Sequence, residues 1–161
     1  MNIYIYRMSK YTLWGPATWY LFHTLAEKIK SQDFNRLKNE IIYLIKLICA
    51  NLPCPDCASH ASHILSIYKN YHLLTNKEDL KRFLFEFHNI VNNKTKNEVF
   101  NNDILEKYKS GNLSNIFQYW YQHFSVKGGL TSTLMINGIS RDNVRTIVQK
   151  FFQSNTRSFD L

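Results

Sequence analysis

A chain of 161 residues, 45% apolar and 15% aromatic, is the size of one globular domain with a single core, and its composition excludes a disordered chain. Its net charge of +8 comes from Lys and Arg scattered among Tyr, Asn and Phe, with no basic arm. That pattern speaks against specific nucleic-acid binding and for a basic surface suited to an acidic partner or a phosphate-bearing cofactor. No run approaches the ~18 apolar residues of a membrane span, and the long apolar stretch from Ile41 to Cys49 is broken by Lys46. Met1 to Arg7 lack the apolar segment of a secretory signal, so export by a signal peptide is not expected, and Met8 is an alternative start.

Helices follow in chain order from apolar spacing. The first is expected from about Pro16, with Trp19, Phe22, His23, Ala26 and Ile29 on one stripe. Gly15, Trp19 and His23 lie four apart and share a face. The second spans about Asp33 to Ala50, with a stripe of Phe34, Leu37, Ile41, Leu44, Ile45 and Ile48, and stops at Asn51-Leu52-Pro53. A third begins at the cysteine pair, where Pro55 and Asp56 suit a first turn, and continues through Ala58, Ala61, Leu65 and Tyr68. A fourth follows Thr75-Asn76-Lys77-Glu78, which reads as a capping box, and carries Leu80, Phe83, Leu84, Phe87 and Val91. His88 and Asn92 share a face of it.

A short fifth helix is expected from about Asn102 to Lys109. Beyond Gly111, Asn115 to Phe124 and Arg141 to Phe152 have helical spacing, while Gly128-Gly129 and Asn137-Gly138 signal turns. The fold class is therefore all-α: a four-helix bundle with a short fifth helix over residues 11–110, and a mostly helical C-terminal extension over 111–161.

All three cysteines, Cys49, Cys54 and Cys57, fall within nine positions. Three are too few for a secreted disulfide framework, and their clustering points to redox chemistry or metal binding. Cys54-Pro55-Asp56-Cys57 has three physical uses. At a helix start, free N–H groups and the helix dipole favour thiolate, so one sulfur can attack and the other resolve a mixed disulfide. Alternatively, Cys54, Cys57, His60 and His63 supply zinc-type ligands at intervals of three, although four such positions point progressively round one helix. Simple packing is the third use. Cys49, after Leu47-Ile48, reads as a small buried apolar residue.

Three segments together resemble one family. Trp14-Gly15-Pro16-Ala17-Thr18-Trp19-Tyr20-Leu21-Phe22-His23 resembles the opening Trp-Gly-x-x-x-Trp-x-x-x-His motif of the Erv/ALR family of FAD-linked sulfhydryl oxidases. Leu52-Pro53-Cys54-Pro55-Asp56-Cys57 resembles its proximal redox pair, and His88-Asn89-Ile90-Val91-Asn92 its His-Asn-x-Val-Asn motif. The order and spacing are those of the family, from about Tyr11 to Lys109. The flavour is that of the compact members encoded by large DNA viruses, which share Leu-Pro-Cys-x-x-Cys followed by x-x-His.

The resemblance implies a helical bundle that binds FAD, as a homodimer. It implies that Trp14, Gly15, Trp19 and His23 line the flavin, that His88, Asn89, Val91 and Asn92 contact the adenosine part, and that Lys94 or Lys96 reaches the phosphates. It implies that Cys57 lies against the flavin and that Cys54 is the interchange thiol. The reaction implied is oxidation of a partner dithiol, with electrons passing through FAD to O2 to give H2O2. No cysteine follows Cys57, so neither the family's further structural pair nor its shuttle pair has a counterpart here. The expected electron donor is therefore an external dithiol protein, thioredoxin-like or a small Cys-x-x-Cys shuttle. The expected location is cytoplasmic, meaning host cytoplasm or virion for a viral member. Tyr108 and Trp120 are candidates for a late aromatic contact with flavin. Two other readings remain: a non-catalytic interaction domain with a Cys/His zinc clip, and a degenerate homologue acting as an adaptor.

Overall fold

The computed structural model describes residues 13–124 and 132–160, with backbone alone over 132–140. The helices are α1 (Trp14–Lys28), α2 (Ser31–Ala50), α3 (Pro55–Ile67), α4 (Lys77–Lys94), α5 (Leu113–His123) and α6 (Ser132–Asn155). Short 3-10 turns occupy Asn70–Leu73, Asn102–Tyr108 and Thr156–Ser158. The architecture is all-α, as the apolar spacing predicts.

Helix α1 is the centre of the fold. Ala17, Leu21, Phe22, Leu25 and Ala26 are buried on it, and so are the polar Thr18, His23 and Thr24. A helix covered on nearly every side needs neighbours on several faces, and α1 packs against both α4 and α5. Helix α2 buries Phe34, Leu37, Ile41, Leu44, Ile45 and Ile48, the stripe read from the sequence, and packs on α3. It ends at Ala50, three residues before Pro53, with the Asn51 amide donating to the Leu47 carbonyl at 2.8 Å.

Three local expectations change. The capping box of α4 sits one residue later than the sequence suggested. Asn76 is the N-cap and accepts from the Asp79 N–H at 3.0 Å, while the Asp79 carboxylate accepts back from the Asn76 N–H. Asp79 also takes two hydrogen bonds from Thr75, which hold its carboxyl below the usual carboxylate range. The expected short fifth helix is present over 102–108, in 3-10 rather than α geometry; Asn101 caps it by accepting from the Asp103 N–H, and Tyr108 is its buried residue. Asn137-Gly138 lies inside α6: as part of a 24-residue helix, a tolerated glycine replaces the expected turn. Gly128-Gly129 falls outside the described residues.

One apolar core runs from α1 to the C-terminal strap. Leu113, Trp120 and Phe124 of the α5 segment join it, as do Val144, Val148 and Phe151 of α6. Gly111 allows the close approach of α5 to α1. A Cβ there would meet Ile116 at 3.1 Å, Thr24 at 3.2 Å and the Tyr108 carbonyl at 3.2 Å.

After α6 the chain returns across the α1–α2 junction. Phe159 bridges Ile29, the Lys30 N–H donates to the Ser158 carbonyl at 2.9 Å, and the Asp160 N–H donates to the Lys28 carbonyl at 2.8 Å. Arg36 of α2 ties the strap down by donating to Ser158 Oγ at 2.7 Å and Asn155 Oδ1 at 3.2 Å. Among the described residues, no helix is long and apolar enough to cross a membrane.

Trp120 is fully buried, with Phe124 stacked on it at 4.7 Å and Phe117 tilted at 6.0 Å. Trp120→Ala is expected to cost about 3–5 kcal/mol, read as a lower midpoint in urea unfolding of the whole chain. A midpoint within error of wild type would show that α5 is not part of the cooperative unit.

Candidate functional site

The cysteine pair sits where α2 gives way to α3. Pro53 prevents α2 from continuing, and Pro55 takes the first turn of α3 with its φ already set. Cys54 is therefore the N-cap of α3. Cys54 and Cys57 are joined as a disulfide, with their Cα atoms 5.2 Å apart, and the Cys57 N–H donates to Cys54 Sγ at 3.2 Å. Asp56 lies in the first helical turn, the favourable end for a negative charge.

Beside the disulfide, α1, α3 and α4 enclose a cavity of about 500 Å3. Its walls combine Trp14, Gly15, Trp19 and Phe22 from α1, Cys57, His60 and Ala61 from α3, and Phe87, His88, Val91, Asn92 and Lys94 from α4. Cys49 and Leu52 close the α2 side. Of the residues proposed from sequence, the cavity gathers Cys57, Trp14, Gly15, Trp19, His88, Val91, Asn92 and Lys94. Cys54, His23, Asn89 and Lys96 are not in the wall.

Each of those four has another place. Cys54 caps the helix. His23 stands behind His88, 3% exposed, with its Nε2 3.0 Å from His88 Nδ1. The Asn89 side chain makes two backbone hydrogen bonds to Phe100, donating to its carbonyl and accepting from its N–H, both at 2.9 Å. Lys96 ends α4 in the left-handed region, with φ of 58°. There its N–H donates to the Asn93 carbonyl at 3.3 Å, and the next N–H, of Asn97, donates to the Asn92 carbonyl at 2.9 Å. This is a Schellman ending, with a lysine where glycine is usual.

Stacked rings run back from the cavity. Trp19 lies on His88 at 3.9 Å and 10°, and His23 lies on Tyr108 at 4.6 Å and 17°. Burial holds His23 down to about 3, helped by His88 and Lys107, and holds His88 to about 4, helped by Lys107. Both imidazoles are therefore neutral at physiological pH. Tyr108 thus supports His23 rather than the cavity, and Trp120 belongs to the core beside α5.

The wall includes residues that the sequence reading placed elsewhere. Phe22 and Phe87 look like ordinary core positions from spacing alone, yet both face this space. His60, read only as a possible metal ligand, lines it one turn after Cys57. Burial lowers its pKa, with further lowering from Lys94 and His63. Among the described residues, no three His, Cys, Asp or Glu side chains converge to hold a metal.

The cavity fits a flat, partly anionic molecule by its own chemistry. Trp14, Trp19, Phe22 and Phe87 supply apolar faces, and Lys94 supplies a cation. Asn92 is 5% exposed, and its buried Nδ2 has no partner among the described residues. A Cβ on Gly15 would meet nothing within 4 Å, so nothing in the protein itself demands a glycine there.

Residues 16–111 match the Erv1/Alr family. This chain belongs to the Erv1/Alr family. A FAD-linked sulfhydryl oxidase from one isolate of African swine fever virus is 35% identical over 86 residues, covering 53% of this chain and 71% of the relative. One from a second isolate is 29% identical over 106 residues, covering 66% and 87%. The mitochondrial FAD-linked sulfhydryl oxidase ERV1 of Saccharomyces cerevisiae is 29% identical over 98 residues, covering 60% and 51%. No solved structure matches. The matched span of this Erv1/Alr chain contains the cavity-lining helices α3 and α4 whole and α1 from Pro16, together with the disulfide.

Cys49 is 2% exposed, and burial pushes its thiol well above the usual range. Brief alkylation of the reduced, folded protein is expected to label Cys54 and Cys57 but leave Cys49 untouched until denaturant is added, as read by peptide mass spectrometry. Rapid labelling of Cys49 in the native state would contradict its burial.

Proposed function

We propose that this chain is a FAD-dependent thiol oxidase. It forms disulfides in a partner dithiol protein, passing electrons through Cys54–Cys57 to FAD and on to O2, with H2O2 as product. The observation that carries the proposal is the position of Cys57: one sulfur of a closed disulfide in the wall of an aromatic cavity that has room for a flat group. Family membership and the names of the viral and yeast relatives support the same reading.

In this reading a partner thiolate attacks Cys54 Sγ, the S–S bond breaks, and Cys57 leaves as thiolate on the cavity side. The partner's second thiolate then attacks the mixed disulfide and releases Cys54. The partner loses two electrons and becomes a disulfide, while Cys54 and Cys57 gain them. The Cys57 N–H and the N-terminus of α3 stabilise negative charge on Cys54 as it is released. When bound, FAD supplies the two-electron chemistry with oxygen that side chains lack.

Trp14, Gly15 and Trp19 would hold the flat part of FAD, His88, Val91 and Asn92 the adenosine part, and Lys94 the phosphates. His23, Asn89 and Lys96 would act from behind or beside the wall. The oxidase domain is assigned to residues 11–110, and 111–161 to an extension that braces it. The acting form is proposed as a homodimer, and the donor as a thioredoxin-like or small Cys-x-x-Cys protein.

The purified protein should be yellow, with near-stoichiometric FAD by absorbance, and should consume oxygen with dithiothreitol. Cys54→Ser and Cys57→Ser should each abolish that consumption, and Cys49→Ser should largely retain it. Folded, colourless protein that takes up no added FAD would sink the proposal. Gly15→Ala separates the ligand from the fold. Alanine suits an α-helix better than glycine by up to about 1 kcal/mol, so Tm should hold or rise while FAD binding weakens. Unchanged FAD binding in that variant would place the cofactor away from Gly15.

A further inference from the structure

We propose that His23 is a positioning residue that fixes the tautomer of His88, making His88 an obligate hydrogen-bond donor, through Nε2, to an acceptor atom of the ligand in the cavity. The ligand's identity as FAD rests on the function proposed above; the assignment of the proton does not.

The argument starts from a hydrogen bond with two possible polarities. His23 Nε2 and His88 Nδ1 are 3.0 Å apart and buried, so one nitrogen carries the proton and the other accepts it. Suppose His88 Nδ1–H were the donor. His23, accepting at Nε2, would then hold its own proton on Nδ1. That atom is buried and has no partner among the described residues, so the N–H would be orphaned. An unmade buried donor costs about 1–3 kcal/mol, and orphaned N–H groups are rarer in proteins than under-used acceptors. With the opposite polarity, His23 Nε2–H donates and the buried Nδ1 carries only a lone pair. A doubly protonated His23 would orphan the same N–H and add a charge near Lys107, inside a stack of rings.

The proton of His88 then follows. A neutral imidazole that accepts at Nδ1 carries its hydrogen on Nε2. His88 lines the cavity, and its remaining nitrogen is therefore a donor. Neither ring is free to turn over and exchange these roles. Trp19 lies on His88 from one side, Phe100 meets it edge-on at 5.2 Å and 83°, and Tyr108 covers His23. The Phe100 backbone is in turn held by two hydrogen bonds with Asn89, one accepted and one donated. Among the described residues, the charged and titratable groups facing the pair are Lys107 and Tyr108, and neither accepts from His23 Nδ1.

The test reads the tautomers directly. Long-range 15N–1H correlation spectra of the histidine-labelled protein, as purified at neutral pH, should show Nδ1 of both His23 and His88 as pyridine-like and both Nε2 as pyrrole-like. A protonated Nδ1 on either ring overturns the proposal. Because an unconstrained imidazole samples both tautomers, dependence on His23 is the second arm. In His23→Phe, the His88 signals should move to exchange-averaged positions and FAD binding should weaken about five- to tenfold, the worth of one hydrogen bond. In His23→Gln, whose amide can donate from a similar reach, both should return towards wild type. A His88 spectrum unchanged by His23→Phe overturns the proposal, and the wild-type spectrum decides it even if that variant fails to fold. Yellow protein with an unlocked His88 removes this inference and keeps the oxidase reading. Colourless protein with a locked His88 does the reverse.

Discussion

Helices α1 and α4 meet through two buried imidazoles, and the shape of the cavity depends on that contact. Burial keeps both rings neutral, and a buried hydrogen bond holds them at 3.0 Å. That bond joins the inner part of α1 to α4 close to the cavity. Trp19 can then stack on His88, and Gly15, one turn earlier on α1, opens onto the same space. If the rings were apolar, the two helices could slide along each other at little cost. Hydrogen bonding removes that freedom, because an unmatched buried nitrogen is expensive.

The other elements serve the same contact from outside. Tyr108, at the end of the 3-10 turn, presses on His23, and α5 packs on α1. The strap at Ser158 to Asp160 closes the α1–α2 junction with backbone hydrogen bonds. The C-terminal segments thus supply rigidity to a helix that also lines the cavity. The part of α1 that lines the cavity has no helix of the protein packed on it there, so the protein's own support for it comes from the other faces.

The redox end is built on different physics. Two prolines set the break between α2 and α3, and the break puts a cysteine at a helix N-cap. One sulfur of the pair then receives a backbone N–H, while the other lines the cavity. The two cysteines are chemically identical in isolation, and the turn between them makes them unequal. Cys49 lines the same cavity as Cys57 but is a free, buried thiol outside the pair.

Much of this was legible in the sequence. The stripes of α1, α2 and α4 could be read because burial on one face imposes helical spacing, as with Phe34, Leu37 and Ile41. The start of α3 could be read because proline acts locally. The three motifs marked the wall residues Trp14, Gly15, Trp19, Cys57, His88 and Asn92. Tertiary structure decided what spacing cannot encode. His23 and Asn89 lie within the motifs yet stand behind the wall, since which side of a buried helix faces a void depends on its partners. Phe22 and Phe87 read as core because an apolar wall and an apolar core have the same pattern. Asn137-Gly138 is helical because a 24-residue helix outweighs a local turn preference. The proton on His88 is settled only by a neighbour 65 positions away, because hydrogen-bond polarity belongs to the pair and not to either residue.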